Sequence, residues 1–282
     1  MNFENTVVSN FEGAFRGMRN PLNSWAKSDS VFGIVDLYDD WEYKVARSWG
    51  YKDNPKYYDS EEEIKDDKES EVIALEEEYA TWLRHNGILR EGNTYSGTVD
   101  VAYLGPNDLD LAQRLIKGGS EHRKFLRQIL VSVDITAPIY WWKEFDTYKI
   151  GVTANSTSTM HKLASTPITI DCFETDDMEN VTICDSDDPA MAVTSTDAFN
   201  TYIDWLEQLR LNYNETKDKK YWKELIRLLP ESWLQTRTIT MNYENILNIC
   251  KQRAFHKLTE WHSFINWAKA LPYSEELFIT RY

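Results

Sequence analysis

From residue 129 to residue 136 the side chains alternate, with Ile129, Val131, Val133 and Ile135 interleaved with Leu130, Ser132, Asp134 and Thr136. That is the period of a β-strand with one buried face. Ala137 and Pro138 break the pattern, and Pro138 suits the first turn of a helix that the spacing carries through Trp142, Phe145 and Lys149. Farther on, Phe199, Tyr202, Ile203, Leu206 and Leu209 recur at helical spacing behind Thr196 and Asp197, which are candidate caps, and this helix is predicted to end near Asn214. Another helix is predicted from about Tyr221 to Pro230. From Asn242, the positions Ile246, Ile249, Leu258, Trp261, Ile265 and Ala268 keep the same period up to Leu271 and Pro272. The pattern therefore predicts an α/β (α+β) chain with a central sheet, flanking helices and a helical C-terminal third, in a single domain over residues 1–282.

Two stretches interrupt the apolar pattern. Residues 53–80 are dense in Asp, Glu and Lys around Ile64, Val72, Ile73 and Leu75, which reads as a solvated helical insertion. Residues 171–191 are acidic and rich in turn formers, which reads as an exposed loop or small hairpin. Its Asp187 and Asp188 are either cation ligands or, as is commoner, solvated loop carboxylates.

Composition narrows the function classes. The chain has 46 acidic and 31 basic residues and a net charge of −15, so it repels polyanions, and duplex nucleic acid is not an expected partner. A single nucleotide remains compatible, because a pocket needs only a few local cations. Eleven Trp and 16 Tyr place it among folded chains. No basic leader precedes an apolar run and no stretch approaches ~20 apolar residues, so a cytoplasmic protein without a membrane span is expected. Cys172, Cys184 and Cys250 lack zinc spacing and read as free thiols, a Cys172–Cys184 bridge being the alternative. His256 and His262 are not at metal-ligand spacing. Neither a G-x-S-x-G elbow nor a G-x-x-x-x-G-K-[ST] phosphate loop occurs, which lowers hydrolase and nucleotide-kinase readings.

Two stretches, in order, resemble the flavin-dependent thymidylate synthases. GSEHRKFLRQILVSVDITAPIYWWKEFDTYK, from Gly119 to Lys149, is similar to that family's glycine-histidine start, central strand and signature helix, and TANSTSTMH resembles the N-x-x-S-x-R-Y end of its signature. Later, ELIRLLPESW resembles E-x-A-R-x-x-L-P, and NYENILNICKQR resembles N-x-R-x-L-x-N-x-x-x-x-R through Asn242, Asn248 and Arg253. The resemblance spans roughly a third of the chain. It implies a homotetramer that uses FAD, reduced by NADPH, to move a one-carbon unit from methylenetetrahydrofolate to C5 of a deoxyuridine nucleotide.

By the same resemblance, Lys149, Ser158, Arg227 and Arg253 would bind the nucleotide, and Gln128, Asn242 and Asn248 the flavin. The departures are specific. Thr147, Tyr148 and Lys149 replace Arg, His and Arg of the signature, and Ser156 and Met160 stand for its Glu and final Arg. Gln128 replaces a flavin-side His, Glu144 a Gln, and Glu244 an Arg; Arg227 sits one place nearer the proline than the family's arginine.

Each residue also has a structural reading. Lys149 can complement the negative end of a helix, Ser158 can serve a turn or cap, and Asn242 can cap a helix. Asn248, within an apolar stripe, requires a polar partner. Arg253 can reach an anion, or can pack its stem and pair with a carboxylate. Tyr140, Trp141 and Trp142 suit stacking on a ring, but aromatics at this density are more often core. An inactive homologue that binds a nucleotide or a protein partner is the alternative function.

Overall fold

The computed structural model describes residues 1–36, 98–158, 162–176, 178–184 and 193–279. The expected insertion at 53–80, the pair Asp187 and Asp188, and the signature positions Met160 and His161 lie outside them. In chain order the described elements are β1 (Asn2–Ser9), α1 (Phe11–Arg19), β2 (Val31–Asp36), β3 (Thr98–Tyr103), α2 (Pro106–Lys117), β4 (Leu130–Pro138), α3 (Ile139–Phe145) and β5 (Thr153–Ser156). There follow β6 (Thr182–Cys184), β7 (Val193–Thr194), α4 (Ser195–Thr216), α5 (Lys219–Leu228), β8 (Leu234–Asn242), α6 (Tyr243–Arg253) and α7 (Thr259–Lys269). The class is mixed α/β, as the pattern predicts. Backbone contacts group these elements into two compact units, Met1–Val8 with Leu130–Pro272, and Ser9–Ile129 with Tyr273–Arg281. No helix among the described residues is long and apolar enough to cross a membrane.

The first unit is built on a four-stranded sheet of order β1-β4-β8-β5. β8 runs antiparallel to both neighbours, from Leu130↔Asn242 to Pro138↔Leu234 on one side and from Thr153↔Thr240 to Ser156↔Arg237 on the other. Val131, Val133, Ile135 and Ala137 of β4 are fully buried together with Ile239 and Met241 of β8. The same core takes Trp141, Trp142 and Phe145 of α3, Ile246 and Ile249 of α6, and Trp261 and Phe264 of α7. Trp142 anchors its ring by donating Nε1–H to the carbonyl of Gln235 at 2.9 Å. The tryptophan pair is thus core, and neither ring is open to a ligand.

The other face of β4 and β8 is polar. Thr238 donates to Asp134 at 2.5 Å and Asn5 donates to its second oxygen at 2.8 Å. Those two hydrogen bonds, the Thr238 one first, hold the Asp134 carboxyl below the usual range. A separate apolar cluster joins Leu163, Ile168 and Phe173 to Ile203, Leu206 and Leu209 of α4 and Leu225 of α5.

Several boundaries differ from the sequence reading. Pro138 is the last residue of β4 and the N-cap of α3 rather than part of its first turn, and α3 stops at Phe145, short of Lys149. Asp146 still has helical dihedrals, and then the Thr147 hydroxyl bonds back to the Glu144 carbonyl at 2.7 Å and closes the helix. α4 begins at Ser195, one residue before Thr196, because Thr194 rather than Thr196 is the N-cap and forms a reciprocal capping box with the expected Asp197. After Asn242 the chain forms two helices separated at Ala254–Leu258, and the C-terminal third also holds β8, which the pattern does not reveal. Cys172 and Cys250 are free thiols.

In the second unit β2 and β3 pair antiparallel from Val31↔Tyr103 to Asp36↔Thr98. α1 buries Phe11, Ala14, Phe15 and Met18, and Phe15 meets Phe125 edge-on at 5.7 Å. Arg19 and Asp108, 5% and 0% exposed, form a two-point ion pair through Nε and Nη2 at 2.5 Å each. The hydroxyls of Ser28 and Ser30 donate to the other Asp108 oxygen at 2.6 and 2.5 Å, so the buried charges are fully partnered. Asp29 accepts from the amides of Asn107 and Asp108 and caps α2. Its burial raises its carboxyl above the ordinary value.

Candidate functional site

Residues of the two sequence stretches meet at the C-terminal end of α3. Arg253, the last residue of α6, donates from Nε to the Tyr148 hydroxyl at 2.8 Å and pairs through Nη1 with Glu144 Oε2 at 3.0 Å. Its guanidinium lies over the Trp261 ring at 4.6 Å and over Tyr148 at 5.6 Å. Glu144 Oε2 also accepts from Trp261 Nε1 at 2.9 Å and lies 3.3 Å from His256 Nε2. The Leu258 amide donates to His256 Nδ1 at 3.2 Å, which orients the ring with Nε2 toward Glu144. One carboxylate oxygen therefore gathers nitrogens of Arg253, Trp261 and His256, from α6, α7 and the segment between them.

A second arginine, unmarked in the sequence reading, stands on β8. Arg237 pairs through Nη1 with Asp146 Oδ1 at 2.7 Å, donates from Nε to Gln235 Oε1 at 2.9 Å and lies over the Trp142 ring at 4.3 Å. In register it faces Ser156 of β5, two residues before Ser158. Gln235 in turn donates to the Thr157 carbonyl at 3.0 Å. The only sequence signal for Arg237 was its place in an alternating Thr-x-Thr run.

Lys149 is exposed in the turn after α3 and makes no ion pair with a described residue, so the helix-end role is set aside by the early stop of α3. Ser158 is half-buried just beyond β5, and its carbonyl accepts from the Lys162 amide at 2.9 Å. Arg227 is exposed in the last turn of α5, a helix that packs on α4, and also makes no ion pair with a described residue. Nothing places it with Arg253.

Asn242 caps α6. Its Oδ1 accepts from the Asn245 amide at 3.0 Å, and Asn245 returns a bond to the Asn242 amide at 3.2 Å. A Cβ on Gly151 would come within 3.0 Å of Asn242 Nδ2, and Gly151 has φ +74°, so this close approach and this turn both call for glycine. Asn248 is half-buried on α6. Gln128 belongs to the second unit, at the end of a 3-10 turn over Lys124–Gln128; its carbonyl accepts from Asn10 at 2.9 Å and its side-chain oxygen lies over Gly17.

The described residues hold no cluster of three metal-ligating side chains. Chemically, the site combines paired guanidinium groups, one exposed ammonium, hydroxyls and neutral amides, which suits holding a polar ligand and lacks an activated nucleophile.

No family model and no curated protein sequence matches this chain. Among solved structures it is similar to the flavin-dependent thymidylate synthase ThyX from Helicobacter pylori complexed with FAD and dUMP, at 20% identity over 62% of this chain and 84% of that one, TM-score 0.44. A second structure of thymidylate synthase X from the same organism, with FAD and dUMP, matches at 17% identity over 72% and 91%, TM-score 0.44. The UMP/dUMP methylase PolB from Streptomyces cacaoi bound with 5-Br dUMP matches at 16% identity over 61% and 80%, TM-score 0.38. Identities and scores are low throughout, and the functional reading rests on the residues themselves.

Proposed function

We propose that this chain is a divergent flavin- and folate-using enzyme that transfers a one-carbon unit to C5 of a deoxyuridine nucleotide. The observation that carries the reading is the meeting of Tyr148 and Glu144, from the first of the two sequence stretches, with Arg253 from the second. Arg253, assigned to the nucleotide by the resemblance, and Tyr148, which stands where the family has its signature His, are 105 positions apart and share one hydrogen-bonded cluster. Lys149, Ser158, Arg253 and, more remotely, Arg227 hold the nucleotide in this reading. Asn242 and Asn248 offer neutral amide groups, which suit the carbonyl and nitrogen edge of a flavin without imposing charge.

FAD, recharged by NADPH, supplies the hydride when bound, and methylenetetrahydrofolate supplies the carbon. The chain's own part is to position the nucleotide and keep it in register. Assembly as a homotetramer belongs to the same proposal.

A second reading is a nucleotide-binding or interaction protein without turnover. It is favoured by the engagement of Arg253 with Glu144 and Tyr148 and by the use of Asn242 as a cap. Calorimetric titration of dUMP and FAD separately, followed by an assay for the C5-methylated product with NADPH and methylenetetrahydrofolate, distinguishes them. Binding of both with product formation supports the enzyme; nucleotide binding without FAD binding supports the second reading, and binding of neither ends both as nucleotide proposals.

A further inference from the structure

The end of α3 sets two carboxylates against two arginines. Glu144 pairs with Arg253 at 3.0 Å and Asp146 pairs with Arg237 at 2.7 Å. Both guanidinium groups are mostly enclosed, 18% and 15% exposed, and both lie on tryptophan rings, so each has already exchanged water for a carboxylate and an aromatic face. His256 Nε2 lies 3.3 Å from the same Glu144 oxygen. Among the other groups around Glu144, Tyr148 and Trp261 are neutral donors or acceptors. The Arg253 guanidinium is therefore already paired with a carboxylate before any ligand arrives.

We infer that Glu144 is a specificity-determining residue that disfavours anionic ligands at Arg253. A phosphate approaching Arg253 meets a carboxylate already bonded to it, and must either displace that carboxylate or stand beside it. Either route costs binding free energy that an uncharged ligand does not lose. Displacement also strips Trp261 Nε1 of its acceptor, because the same oxygen serves both donors. The inference rests on the proposed function for the identity of the ligand, and on the geometry alone for the direction of the effect.

The test compares dUMP with deoxyuridine, which share base and sugar and differ in the phosphate, by calorimetry on the wild-type chain, Glu144→Gln, Arg253→Ala and the double variant. Glutamine keeps a carbonyl oxygen for Trp261 and loses the charge. Glu144→Gln is expected to tighten dUMP binding about tenfold while changing deoxyuridine binding less than about twofold. The gain is expected to vanish in the Arg253→Ala background. An equal change for both ligands, a loss of dUMP affinity in folded Glu144→Gln, or a gain that persists without Arg253 would overturn the inference. dUMP binding by the wild type with no gain in the variant overturns this inference alone. Binding of neither ligand by any variant overturns the nucleotide reading and this inference with it.

Discussion

Arg253 Nε and the Tyr148 hydroxyl, 105 residues apart, are joined at 2.8 Å. The same guanidinium pairs with Glu144 and lies on Trp261, so Arg253 serves the fold as well as any ligand. Arg253→Ala is expected to cost about 1–3 kcal/mol, since it removes a charge-assisted contact and leaves a half-buried carboxylate without its cation. For a chain of this size that is a fall in melting temperature of roughly 2–4 °C per kcal/mol, read by calorimetry. Arg253→Lys keeps the charge and loses the planar fork, and should recover part of the stability. An unchanged melting temperature in Arg253→Ala would show that the cluster contributes nothing to the fold.

Asn242 is expected to have two separable effects. Its Oδ1 caps α6, so Asn242→Ala should destabilise the chain by about 1 kcal/mol, whereas Asn242→Asp keeps the acceptor and should stay near wild type. If the amide also contacts the flavin, both variants lose about fivefold in FAD affinity, measured by fluorescence titration. Full FAD affinity in both would leave Asn242 as a cap only.

Cys250 is 1% exposed, and burial pushes its thiol from 9.0 to about 12. Below about pH 8.5 the folded and unfolded chains hold this proton equally. As pH rises toward 12, the unfolded chain releases it first, so stability falls across that window. Cys250→Ala should flatten this alkaline loss in denaturant melts, at some cost in packing. In the native chain near pH 8, alkylation should mark the half-buried Cys172 ahead of Cys250; equal labelling would contradict the burial.

In the second unit, Asp108→Ala leaves Arg19 buried with its charge unpaired and the Ser28 and Ser30 hydroxyls without their acceptor. A loss of about 3–5 kcal/mol is expected in chemical unfolding. Lys124→Ala, which removes only an exposed pair with Glu121, should leave the unfolding midpoint unchanged.

Much of the fold was legible where one face of an element is uniformly apolar. β4 shows it best, since Val131, Val133 and Ile135 alternate with Ser132, Asp134 and Thr136. β8 carries no clear strand period because its alternation is masked: Thr236, Thr238 and Thr240 line one face, but Gln235 and Arg237 share the other with Ile239 and Met241. β1 is mostly exposed and polar, so it carries no period at all. The cap at Asn242 could be read from one residue and its place before an apolar stripe. In the sequence Glu144 is only a departure from a family pattern, because its three partners come from distant sequence and no local spacing announces them. Arg237 was hidden for the same reason, its partner Asp146 lying 91 residues away.

The central claim, that this chain works with a flavin, is most directly tested by the absorbance spectrum of the purified protein, alone and after addition of FAD and removal of the excess. The account predicts flavin bands in the near ultraviolet and blue that stay with the protein and are perturbed relative to free FAD, with a further change on adding dUMP. A colourless protein that retains no FAD and leaves the FAD spectrum unaltered would contradict it.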